Sequence, residues 1–178
     1  MPVFLNFVAF QASWFACVLG GAAQLPWLGV IAVAATLLLH GWQSPAHRPE
    51  LRLALCAGAL GTLWESGLVV SGVLVYPSGQ LLSALAPVWI VALWIGFATS
   101  FNVSMRWLKG RLPLAALLGG VFGPMSFWGG ARLGAVSFPD PMLALAVLAV
   151  GWAVLMPLMV VIAERFDGWH PDLKEAQA

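Results

Sequence analysis

Glu65 is the residue in this chain best placed to do chemistry. It stands within an apolar run, residues 53–75, that contains no other charge. As a helix that run would span ~34 Å at ~1.5 Å per residue, enough to cross a bilayer core of ~30 Å. A carboxylate at such depth costs roughly a few kcal/mol to insert and so demands a partner or a function. Ala54, Gly58, Thr62 and Ser66 recur at every fourth position beside it. Such a stripe of small residues lets another helix approach closely, so Glu65 is expected to face protein. The cation on offer is Arg132, at the end of Gly129-Gly130-Ala131-Arg132. Paired, the two would form either an inter-helix lock or a polar anchor. The anchor would be a proton- or substrate-linked carboxylate beside an anion-binding arginine.

Few other polar groups fall in or near apolar segments. Asn6, Gln11 and Asn102 suit either inter-helix hydrogen bonding or a polar path leading toward Glu65. Trp64, Trp89, Trp94 and Trp128 stand inside apolar segments, in a chain with ten tryptophans. Buried indoles suit bundle packing, or the wall of a pocket for a lipid-like or isoprenoid-like ligand. The binding candidates are therefore Glu65, Arg132, Trp64, Asn6, Gln11, Asn102, Trp89, Trp94 and Trp128.

Other chemistries lack their residues. His40, His47 and His170 form no HxxxH or HxxHH box, which disfavours a di-iron enzyme. There is no HExxH, no Walker A, no GxGxxG and no GxSxG elbow. A single deep acid cannot make an acid/base pair. No metal, no cofactor and no catalytic residue are expected, and an enzyme is the less favoured class. Cys17 and Cys56 read as buried thiols.

The elements that must position these residues follow from composition. Of 178 residues, 61% are hydrophobic and 8% charged, against ~25% charged in soluble domains. This predicts an all-α integral membrane protein, a six-transmembrane-helix bundle occupying residues 1–163. The spans are expected at about 2–20, 26–42, 53–75, 84–101, 112–131 and 142–163, with a polar tail over 164–178. Met1 to Phe15 has no Lys or Arg and reads as a retained first helix, not a secretory signal. Arg48, Arg52, Arg106, Lys109, Arg111, Arg165 and Lys174 fall on one side, and only Arg132 on the other. By the positive-inside rule both termini are cytoplasmic. Trp42, Trp107 and Trp169 suit that interface and Trp27 the opposite one. The net charge of +1 comes with no basic run, so nucleic acid is not an expected partner. Helices 2 and 5 both open with Leu-Pro, but no alignment extends from there, so no internal repeat is expected.

Several of these residues form a recognisable set: Asn6 with Trp14-x-x-Cys17-x-x-Gly20, Gly61-Thr62-x-x-Glu65-Ser66, Pro87-x-Trp89-Ile90, Leu93-Trp94 with Phe97-Ala98, Asn102-x-Ser104 and Gly123-Pro124. The set resembles the bacterial inner-membrane family termed domain of unknown function 2878. The resemblance implies a multi-pass protein of the bacterial cytoplasmic membrane with a lipid-related role, and no assigned activity. Two functions are then expected to compete. One is binding or moving a hydrophobic or amphipathic molecule, with membrane lipids as partners, at a polar site centred on Glu65. The other is a non-enzymatic anchoring subunit for a lipid-modifying enzyme, docking through Arg106–Arg111 and the tail.

Overall fold

The computed structural model describes residues 1–169 as six helices. They are α1 (Val3–Ala22), α2 (Pro26–Gln43), α3 (His47–Val70), α4 (Val88–Phe101), α5 (Leu112–Arg132) and α6 (Pro141–Arg165), with a single 3-10 turn at Arg106–Leu108. Prolines open α2, α5 and α6 within the first turn, where the missing N–H would have had no helical partner. Asp140 caps α6 by accepting from the backbone N–H groups of Met142 and Leu143.

Five helices are long and apolar enough to cross a membrane; α4, with 14 residues, is the exception. The expected helix over 84–101 starts only at Val88, because Pro87 fixes an extended N-cap and Ser66 Oγ accepts the backbone N–H of Ala86 at 3.0 Å. The expected span over 53–75 is displaced toward the N-terminus. It begins at His47 and stops at Val70. Glu65 therefore sits near the end of α3, not at its middle.

Helix α4 is the central element, packed on α1, α2 and α3, whereas α5 packs chiefly on α6. The loops sort into two ends. At the terminal end, Ser104 N–H donates to Asn6, Ala46 N–H to Gly168 O, and Arg106 to Asp167. At the far end, Gln24 donates to Pro77 O and Ser78 to Gly21 O. His170 and Lys174 lie outside the described residues.

The α3–α4 and α5–α6 hairpins repeat one design, which corrects the expectation of no internal repeat. Helix α3 ends with Gly72 at φ +69°, its N–H bonded to Val69 O and that of Val73 to Leu68 O. Helix α5 ends with Gly134 at φ +86°, its N–H bonded to Ala131 O and that of Ala135 to Gly130 O. Both are Schellman motifs, which need a left-handed residue just past the helix. The chain then runs Gly72-x-x-Val75-Tyr76-Pro77 in one hairpin and Gly134-x-x-Ser137-Phe138-Pro139 in the other. Val75 and Ser137, at matching positions, pair with each other in an antiparallel bridge, N–H to O at 3.0 and 2.7 Å. About two and a half turns before the end, at ~3.6 residues per turn, Gly61 of α3 receives the Trp94 ring of α4, and Gly123 of α5 receives the Trp152 ring of α6. The two rings stack, centroids 4.9 Å apart and planes 17° from parallel. A side chain at either glycine would occupy the space of the ring.

Candidate functional site

Glu65 is 0% exposed. Tyr76 Oη donates to its Oε2 at 2.7 Å, and Trp94 Nε1 donates to its Oε1 at 3.0 Å. Both donors are neutral. The Schellman turn brings Tyr76 back over the end of α3, and α4 brings Trp94 across the helix pair. Arg132 is not there: it is exposed at the end of α5 and makes no ion pair among the described residues. The expected Glu65–Arg132 pair is thus replaced by two neutral donors. Tyr76, the only tyrosine of the chain, was not foreseen as a partner, although its place before Pro77 marks it as a loop residue.

The remaining candidates separate. Trp89 donates to Ser78 O at 3.2 Å and stands edge-on to Tyr76, so it belongs to the cap over Glu65. Trp64 turns away and packs on Gly151 of α6, its Nε1 buried without an acceptor. Trp128 is exposed beside Phe138. Asn6 and Asn102 sit at the terminal end, far from Glu65. Asn6 Nδ2 donates to Thr99 O at 3.0 Å. These two form inter-helix bonds and no polar path to Glu65.

Asn102 belongs to a polar network that the sequence reading missed. Its Nδ2 donates to Glu50 Oε1 at 2.7 Å, and Gly168 N–H donates to the same oxygen at 2.7 Å. His40 Nε2 lies 2.7 Å from Glu50 Oε2, and the His40 ring packs against Trp169. Both His40 and Trp169 are buried. Arg106 grips Asp167 with two bonds, at 3.1 and 2.7 Å, and Lys109 adds a third at 2.9 Å. Burial alone would raise the Asp167 carboxyl, but the Arg106, Lys109 and Trp169 donors outweigh it and hold the acid below its usual value. Burial pulls the Lys109 ammonium below its usual value, against the attraction of Asp167.

A concavity opens between α1 and α4 on one side and α5 and α6 on the other, with a volume of about 740 Å³. That is within the roughly 300–1,000 Å³ usual for small-molecule sites. Gln11, Trp14, Trp94, Phe97, Phe127 and Trp152 are among its walls, and no charged residue lines it. Trp14 Nε1 donates to Ser126 Oγ at 3.0 Å, a bridge from α1 to α5. Glu65 does not line this cleft. It stands behind Trp94, whose indole is both cleft wall and donor to the carboxylate. Of the expected candidates, Gln11 and Trp94 meet at the cleft, and Glu65 reaches it through Trp94.

No curated protein and no solved structure matches the chain. A family model described as "Protein of unknown function (DUF2878)" matches residues 3–158. With the match covering most of its length, the chain belongs to that family.

Proposed function

We propose that this is a bacterial inner-membrane protein with both termini cytoplasmic, which holds a hydrophobic molecule in the cleft between α1, α4, α5 and α6. The observation that carries this reading is the cleft itself: about 740 Å³, aromatic-walled and free of charge. In a bilayer such a space would be filled by a largely apolar molecule, since Gln11 and Ser126 are the few polar side chains among its mostly aromatic and aliphatic walls. The short α4, ~21 Å long at ~1.5 Å per residue, completes a sixth crossing together with the non-helical segment 71–87. Orientation follows from Arg48, Arg52, Arg106, Lys109, Arg111 and Arg165, all at the terminal end. In this reading Glu65 positions the wall and does not touch the ligand.

The anchoring-subunit alternative has less support. Its docking face would be Arg106, Lys109 and Arg111, and Asp167 already engages the first two. Native mass spectrometry of the protein released from lipid nanodiscs tests the binding reading. A retained hydrophobic molecule is expected on the wild type. It should be absent from Gln11→Trp, which fills the cleft from α1, at unchanged folded yield. Equal retention by both proteins, or none by either, would refute the reading.

A further inference from the structure

Most polar side chains along the cleft are already committed. Trp94 N–H donates to Glu65, and Trp14 N–H donates to Ser126. In α5–α6, Phe127 stands at the position that matches Glu65, and the Trp152 indole nitrogen is buried, out of reach of a molecule in the cleft. Trp107 is exposed at the terminal end. Two groups remain. Gln11 is half-buried in the cleft wall, and its amide makes no hydrogen bond within the described residues. Unlike the Trp152 nitrogen, the amide atoms are not among the buried polar atoms that lack a partner, so the amide is accessible. Ser126 also lines the cleft; its Oγ accepts from Trp14, and its hydroxyl donates to nothing among the described residues. Gln11 and Trp14 stand three residues apart and are neighbours on one face of α1. The Trp14–Ser126 bond therefore brings the α5 hydroxyl to the side of α1 that carries Gln11.

We infer that the cleft takes an uncharged long-chain alcohol, its hydroxyl held by the Gln11 amide and its chain laid along the aromatic walls. The inference rests on the binding reading above and names its ligand class. A glutamine amide carries two N–H donors and a carbonyl acceptor, and none of them is satisfied by an apolar chain. A ketone or an ether would answer the N–H and leave the carbonyl bare. A hydroxyl answers both, because it donates and accepts. Absence of charge in the lining argues against an acid or a phosphate inside the cleft, where a buried ion would have no partner.

Four probes of matched chain length test this on the full chain in nanodiscs, after subtraction of uptake by protein-free discs: hexadecane, 1-hexadecanol, the methyl ether of that alcohol, and hexadecanoate at neutral pH. The alcohol should bind about five-fold more tightly than the alkane, the scale of one buried hydrogen bond. The ether should bind less tightly than the alcohol, and hexadecanoate no better than the alkane. In Gln11→Leu, which removes the amide at similar size, the alcohol should fall to the level of the alkane, with alkane binding retained. Equal binding of alcohol and alkane by the wild type would overturn the ligand class and leave the cleft-binding reading standing. An ether that matches the alcohol, or tightest binding of hexadecanoate, would overturn the class as well. An alcohol preference that survives Gln11→Leu would overturn the assignment to this amide. Failure of all four probes to exceed the empty discs would sink both readings together. The wild-type comparison decides the ligand class even where the Gln11 variant yields no folded protein.

Discussion

The α3–α4 and α5–α6 hairpins share a Schellman stop, a bridge-forming loop with an aromatic-proline pair, and a glycine that receives the tryptophan of the return helix. They differ in what that tryptophan finds. Trp94 donates to Glu65, which Tyr76 also holds. Trp152 meets Phe127 and has no acceptor. In one hairpin the indole N–H is paired; in the other it is buried without a partner. The difference teaches that Glu65 completes a structural unit, which the hairpin without the acid lacks.

The comparison breaks most visibly at the two matched positions. Glu65→Leu strands two buried donors, each costing about 1–3 kcal/mol when unsatisfied, so a loss of about 2–6 kcal/mol is expected. Phe127→Leu removes only packing volume, with an expected loss of about 1–2 kcal/mol. Thermal unfolding in one detergent measures both, and equal losses would erase the distinction drawn between the hairpins. Next in size, Gly61→Ala and Gly123→Ala press a methyl group into Trp94 and Trp152 respectively. Each should cost about 1–3 kcal/mol. A tolerated methyl at either site, seen as an unchanged midpoint, would mean that the glycine is not needed for that ring.

How much of this was legible from residue order depends on the element. The helices were, because long apolar runs leave little alternative, and Glu65 stood out as buried for the same reason. Its partners were not. Tyr76 reaches it only through the turn that Gly72 permits, and Trp94 comes from another helix. The start of α3 was hidden by His47, Arg48, Glu50 and Arg52, which read as a loop. Glu50 is nonetheless buried, because His40, Asn102 and Gly168 all bond to it. The segment 71–75 read as helix because Val73, Leu74 and Val75 are apolar, yet they pack as a loop. The repeat escaped notice because only glycine, proline and an aromatic position survive in both copies. The charge bias that placed Arg106 and Lys109 together was visible, but their common acid, Asp167, lay in what read as a tail.

Smaller effects sharpen the contrast between the two ends of the molecule. Tyr76→Phe removes one donor from Glu65 and should cost about 1 kcal/mol, with Trp94 still bonded. Its unfolding midpoint should fall less than that of Glu65→Leu; a larger fall would make the phenol the organising group. At the terminal end the effect is one of pH. The Asp167 carboxyl is held below its usual value in the folded chain, so the unfolded chain binds more protons across that interval and stability rises with pH there. This contribution is present above the ordinary carboxylate value and is lost as pH falls through the depressed one. Asp167→Asn should flatten the acid limb of the stability profile, whereas an unchanged limb would place its origin elsewhere.

A density map of the wild-type protein in a lipid nanodisc tests the central claim most directly. The account predicts elongated density between α1 and α5, in contact with Trp94 and Trp152, with Glu65 dry behind Trp94. A bound group in contact with the Glu65 carboxylate, or α5 closed onto α1 with no space between them, would contradict it.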